Sequence, residues 1–259
     1  IPENFNIIAR SSGDLIAGIS HQSKLFYGVQ FHPEVNHTVQ GQTIISNFLF
    51  KIAAFNRDWT SSSFVEDAIK QIRSTVGDGK VLLGLSGGVD SSVLAFLMHD
   101  AIGENCVPVF INNGLLRQNE TEEVKSLFEA SHVKIYQHDY TDAFLSELAG
   151  VVEPEKKRKI IGRVFIEAFE EVAREIKGID FLAQGTLYPD VIESGAITGH
   201  AVTIKSHHNV GGLPEKMSLK VIEPFKELFK DEVRAVGRVL NVPAKIIGRH
   251  PFPGPGLAV

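Results

Sequence analysis

Cysteine is nearly absent from the 259 residues, and so is any long apolar run. The single Cys106 excludes an internal disulfide and fits a reducing compartment, so a cytoplasmic protein is expected. No stretch approaches the roughly 20 apolar residues that cross a bilayer, which leaves no membrane segment. No charged-then-apolar leader opens the chain. A basic surplus is also lacking: the net charge of −5 argues against a general nucleic-acid binder. Hydrophobic residues still make up 43%, enough for a packed core in one large domain or a domain plus a fragment. The chain opens on Ile-Pro-Glu and closes on Gly-Pro-Gly-Leu-Ala-Val, and both ends read as mid-protein boundaries.

Residues 5–10, 14–20 and 25–31 are short β-like runs separated by polar turns. A helical pattern follows from about Gln42 to Phe55, with Ile44, Ile45, Phe48, Leu49 and Ile52 on one face. The polar, serine-rich stretch 56–63 reads as a linker, and Ser63 with Glu66 has the spacing of a capping box. From Phe64 the pattern changes to alternating helices (64–76, 90–102, 119–131, 154–177) and apolar strands (80–85, 106–111, 133–138, 179–183). That alternation predicts an α/β fold, a mainly parallel sheet with helices on both faces. Ligands in such sheets bind beyond the carboxyl ends of the strands. Residues 185–219 lack periodicity, which is long for a connection and suggests a functional lid.

A third absence is chemical. Residues 83–93 read LGLSGGVDSSV, a strand breaking into glycines before a helix start, where backbone N–H groups favour an anion. A Walker loop needs G-x-x-x-x-G-K-[ST], and no lysine lies between Gly84 and Ser92. An ordinary strand–helix turn is the plainest alternative. The stretch fits instead the S-G-G-x-D-S pattern of a pyrophosphate-binding loop. In that reading the amides of Gly87, Gly88, Val89 and Asp90, with the hydroxyls of Ser86, Ser91 and Ser92, cradle a β,γ-pyrophosphate. Asp90 is placed to hold Mg²⁺. Binding the β and γ groups together makes pyrophosphate the leaving group, so attack falls on the α-phosphorus of ATP and the reaction is an adenylation.

The loop is shared by NAD synthetases, asparagine and argininosuccinate synthetases, tRNA-thiolating enzymes and GMP synthetase. Four further stretches narrow it: IKSHHNVGGLP (204–214), RHPFPGPGLA (249–258), LYPDVIES (187–194) and NGLLR (113–117). With these the chain closely resembles glutamine-hydrolysing GMP synthetase along its whole length. The resemblance implies an adenine nucleotide alpha hydrolase-like ATP pyrophosphatase domain over 58–259, with a lid at about 185–219. It implies the reaction of XMP and ATP to adenyl-XMP and pyrophosphate, then amination to GMP and AMP. The family's C-terminal dimerisation domain is absent, and a homodimer would form through it.

The resemblance also sorts the residues. Lys205 in the lid is a point charge suited to an oxyanion or polyphosphate. His207 and His208 can donate to phosphate or exchange protons, or are simply solvated. Asp190 and Glu193, three apart, can ligate Mg²⁺ or orient ammonia; solvated carboxylates are the plain alternative. In the family the position of Arg117 meets the XMP phosphate or its purine. Pro253, Gly254 and Gly256 belong to a proline- and glycine-rich loop that lies beside XMP. Gly185, with Thr186, lies at a strand end where it can line the adenine pocket. The basic run 156–159 with Arg163 reads as a solvated face. One departure stands out: Asn112 precedes Asn113-Gly114 where the family often has aspartate, which puts any metal or ribose role there in doubt.

At the front, residues 26–38 read FYGVQFHPEVNHT and resemble the His-Glu end of a class I glutamine amidotransferase. The resemblance makes residues 1–57 the C-terminal piece of that α/β domain, with His32 as base and Glu34 orienting it. The third member, a cysteine nucleophile, should lie upstream, since Cys106 sits inside the apolar run CVPVFI and reads as a small core residue. Two other functions stay open on the loop alone: another adenylating ligase such as NAD synthetase, and a non-catalytic module that only senses ATP.

Overall fold

A computed structural model describes residues 1–193, 219–250 and 256–258. The chain divides into two compact units, Ile1–Trp59 and Thr60–Val259. In the first, strands β1 (Phe5–Arg10), β2 (Ile16–His21) and β3 (Tyr27–Val29) form an antiparallel sheet in that order. Helix α1 (Gly41–Asn47) follows and widens into a π-helical turn over Phe48–Ile52. The expected helix to Phe55 stops there. Ala54 takes a positive φ of 56°, and the Arg57 guanidinium lies 4.0 Å from the Phe50 ring centre, folding the chain back.

The second unit opens with α2 (Ser61–Val76) and continues through β4 (Lys80–Leu85), α3 (Val89–Ile102), β5 (Cys106–Asn112) and α4 (Glu120–Ala130). Then come β6 (Tyr136–Asp139), α5 (Thr141–Leu148), α6 (Pro154–Glu175), β7 (Ile179–Ala183) and α7 (Tyr188–Glu193). Strand β8 (Lys220–Ile222) and helices α8 (Lys230–Val239) and α9 (Ala244–Ile247) close the fold. The cap of α2 differs from the capping box expected at Ser63. Thr60 is the N-cap, its hydroxyl accepting from the Ser63 N–H at 3.0 Å while the Thr60 N–H donates to the Ser63 hydroxyl at 2.9 Å. Serine at the third helical position replaces glutamate in the reciprocal bond, and the helix starts three residues earlier.

Five strands make one parallel sheet in the order β6-β5-β4-β7-β8. The central strands alternate their side chains between two cores, as a period of two requires. Val81, Leu83 and Leu85 of β4, Phe110 of β5 and Phe181 of β7 pack with α2, α3, α4 and α8. Leu82, Val107, Val109, Ile111 and Leu182 face the other way, against Phe144 of α5 and the inner face of α6. Helices therefore cover both faces, as the alternation of patterns implies. Because β4 lies in the middle and β7 adds on the opposite side from β5, the chain reverses direction across the sheet between β4 and β7. The loops after those two strands, 86–88 and 184–187, open at that switch point.

Phe169 of α6 is fully buried and stacks on Phe165 at 6.3 Å, with its ring against Gly84 of β4. Phe169→Ala is expected to lower unfolding stability of the second unit by about 3–5 kcal/mol, read from the midpoint of urea denaturation.

Candidate active site

Strand β4 ends at buried Leu85 and releases the chain into exposed Ser86. Gly87 follows at φ +73°, a conformation that a side chain would strain, and Gly88 is the N-cap of α3. Among the described residues no side chain caps that helix, so its first-turn N–H groups and the positive end of its dipole are available to an anion. The hydroxyls of Ser86 and Ser91 lie 2.9 Å apart, and the Ser86 hydroxyl accepts from the Gly88 N–H at 3.3 Å. The loop's serines thus bond to each other and to its backbone. Ser92 does not join them: it is 1% exposed, and its hydroxyl is buried with no partner among the described residues. It is not among the hydroxyls on the open side of the loop.

Asp90 in the first turn of α3 has two different oxygens. Oδ2 receives Lys230 Nζ at 3.2 Å, while Oδ1 is buried without a partner among the described residues. Gly185, after β7, lies against the same turn: a side chain there would come within 3.6 Å of the Asp90 carbonyl carbon. Next to it, the Thr186 hydroxyl donates to Glu223 at 2.5 Å. Sequence reasoning missed Lys230. A signal existed, because Lys230 opens α8, and a cation in a helix's first turn opposes the dipole. Such a residue has another partner to justify it.

The ends of β5 and β6 form a second cluster. Asn112 donates its amide to Asp139 at 3.2 Å and accepts the Gly114 N–H at 3.1 Å. Thr141, by its hydroxyl and its N–H, and Asn112 hold the Asp139 carboxyl below its usual range. An aspartate at 112 would have no proton to give Asp139, so the amide explains the departure noted in the sequence. Beyond, the Arg117 N–H donates to Glu120 Oε2 at 3.1 Å. Glu120 Oε1 meets Arg249 Nη1 at 3.4 Å, and that same nitrogen donates to the Gly87 carbonyl at 2.6 Å. Arg249 is the second residue that sequence reasoning missed.

The remaining sequence candidates fall as follows. Asp190 accepts the Leu187 N–H at 3.0 Å and so caps the start of α7. Gly256 is buried against Leu115, whose carbonyl accepts the Leu257 N–H at 2.9 Å. Arg163 pairs with Glu147 at 2.8 Å and Glu167 at 3.0 Å, in keeping with a solvated face. Lys205, His207, His208, Pro253, Gly254 and the Glu193 side chain lie outside the described residues.

In the first unit, His32 Nδ1 and Glu34 Oε1 are 2.7 Å apart on an exposed turn. The backbone and His32 both draw the Glu34 carboxyl below its usual range. An imidazole held at Nδ1 presents Nε2 outward. Gly41 at the start of α1 is buried against this turn, and a side chain there would run into the Pro33 carbonyl. Cys106 starts β5 and is buried; burial pushes its thiol from 9.0 up to about 12, so it stays a neutral core group.

Residues 1–52 match the family Glutamine amidotransferase class-I, and residues 61–160 match NAD synthase. Over its whole length the chain is 52% identical to GMP synthase [glutamine-hydrolyzing] of Bartonella quintana and 54% identical to that of Rhodopseudomonas palustris. Along its whole length the chain is similar to GMP synthase [glutamine-hydrolyzing]. It spans about half the length of the curated relatives it matches, 50% and 48% of these two. Two solved structures share the fold of this chain at 16% identity. NMN synthetase of Francisella tularensis has a TM-score of 0.56 over 77% of this chain and 78% of that one. The NH3-dependent NAD synthetase of Campylobacter jejuni has 0.54 over 73% and 77%. Among the described residues no helix is long and apolar enough to cross a membrane.

The inert thiol of Cys106 has a pH signature. Its stabilising contribution is complete below its ordinary value of 9.0 and is lost as pH rises toward its folded value of about 12. Tyr140, also raised to about 12 by burial and by Glu171, acts in the same direction above 10.0. Cys106→Ala should therefore flatten the alkaline loss of stability by up to about 1.4 kcal/mol per pH unit, read from urea midpoints between about pH 9 and 11. The native chain of residues 1–259, whose one thiol is Cys106, should leave Ellman's reagent unreacted near pH 8, and the unfolded chain should consume it.

Proposed function

We propose that the protein carrying this chain aminates XMP to GMP with ATP, using ammonia from glutamine. One observation carries the reading: identity of 52–54% along the whole chain to proteins named GMP synthase [glutamine-hydrolyzing]. The loop chemistry agrees with it. The oxygen on C2 of XMP bonds to the α-phosphorus of ATP, and the bond from that phosphorus to the β-bridging oxygen breaks, releasing pyrophosphate. Ammonia then bonds to C2 and loses a proton, the C2–O bond breaks, and AMP leaves with GMP as product.

In this reading the Gly88, Val89 and Asp90 N–H groups and the Ser86 and Ser91 hydroxyls receive the β,γ-phosphates in place of their own internal bonds. Lys230 neutralises charge beside Asp90, and nucleotide phosphate competes with that carboxylate for the ammonium. Asp90 Oδ1, an acceptor without a partner among the described residues, fits Mg²⁺. No cluster of three His, Cys, Asp or Glu among the described residues holds a metal alone, so phosphate and water would supply the other ligands. When bound, the ion offsets charge on the departing pyrophosphate. Arg117 and Gly256 are assigned to XMP, as are Pro253 and Gly254. Gly185 is assigned to the nucleotide, Asp190 and Glu193 to the amination end, and Lys205, His207 and His208 to the adenylated intermediate.

His32, held by Glu34, is assigned as the base that takes a thiol proton in glutamine hydrolysis. Its nucleophile belongs to sequence outside these residues, because Cys106 is buried and neutral. A cytoplasmic location and a homodimer formed through a C-terminal domain complete the reading.

The match of residues 61–160 to NAD synthase favours one rival, a ligase that adenylates deamido-NAD. Full-length protein supplied with XMP, ATP, Mg²⁺ and ammonium should yield GMP, AMP and pyrophosphate in equal amounts. Turnover of deamido-NAD with none of XMP would transfer the assignment to the rival. Asp90→Asn and Lys230→Met should each lower kcat for pyrophosphate release by about 100-fold. A module that only senses ATP would bind it and release no pyrophosphate at all.

A further inference from the structure

The peptide joining Gly87 to Gly88 is held from behind. Its carbonyl accepts Arg249 Nη1 at 2.6 Å, the shortest of the bonds made by that guanidinium. In a trans peptide the carbonyl and the following N–H point in opposite directions. Turning the Gly87 carbonyl inward therefore turns the Gly88 N–H outward, to the side where Ser86 Oγ now takes it. Arg249 sets the direction of an anion-binding donor without being on the anion's side itself.

The same guanidinium reaches two carboxylates, Glu120 at 3.4 Å from Nη1 and Glu123 at 3.4 Å from Nη2. Glu120 is 8% exposed on its side chain and Arg249 15%, so the pair is shielded from water. The second oxygen of Glu120 accepts the Arg117 N–H, which fixes the turn before α4. One partly buried cation thus connects the phosphate loop to the turn that carries Arg117. Arg249 is 162 residues from Gly87 and 129 from Glu120 in sequence, so only the fold brings the three together.

We propose that Arg249 is a positioning residue that aligns the phosphate loop with the Arg117 turn, so that sites for the nucleotide and its acceptor are set by one group. This rests on the functional reading above only for which ligands occupy the two loops. Its planar fork serves several acceptors at fixed angles, which the ammonium of lysine does not reproduce.

The test uses the full-length protein and two changes. Arg249→Lys keeps a cation beside Glu120. Arg249→Gln combined with Glu120→Gln leaves no buried charge unpaired, which guards against simple unfolding. Both should fold, with unchanged far-UV circular dichroism. Each should raise KM for ATP and KM for XMP together, by about tenfold, the loss of one charge-assisted hydrogen bond. Amide exchange should quicken in the peptides containing residues 86–88 and 117–120 together, with or without substrates present. A rise in only one KM, or exchange that quickens in one segment alone, would overturn the alignment role. If the wild type turns over neither ATP nor XMP, the functional reading fails, while the exchange measurement still decides the role of Arg249.

Discussion

Burial of helix α3 on nearly every side is the constraint from which the site follows. Leu94, Leu97 and Met98 are 0–1% exposed, and the helix packs on α2, α8 and the central strands. Each such side chain contributes about 1.5–3 kcal/mol of burial, while a hydrogen bond in the loop nets about 1 kcal/mol. The apolar packing therefore decides where the helix starts, and the Ser86–Gly88 turn adapts to it. A helix that cannot shift presents its N-terminus at one fixed place. The hydroxyls of Ser86 and Ser91 can then exchange partners without cost to the core.

The sheet was readable because parallel strands buried on both faces are continuous apolar runs. VLLGL and CVPVFI announce β4 and β5 without ambiguity. The edge strand β6 reads YQHD, half polar, and its start was expected three residues early. Helices α5, α7, α8 and α9 and strand β8 were outside the expectation, although Val233, Val236 and Leu240 of the α8 region carry the apolar spacing of a helix. The glycine-serine loop was legible because it is one local string. Lys230 and Arg249 were not, because their partners lie 140 and 162 residues away. Spacing along a chain has no record of contacts that only folding creates.

Asn112 and Asp139 show how a single hydrogen changes the reading of a position. Two carboxylates facing each other across β5 and β6 would repel unless one kept a proton. The amide gives Asp139 a donor and leaves its carboxylate ionised and oriented by Thr141. The two strand ends are thereby tied at the rim where loops for ligands begin. What looked like the loss of a charge is the gain of a bond.

Gly41 lies on the Pro33 carbonyl, between the residue that would be a base and the residue that orients it. No chemistry is asked of it. Among variants drifting over long times, this site would nonetheless be as restricted as the pair it supports. A comparison of sequences would find three invariant columns where a chemist would ask for two, and the third would record the shape of the turn.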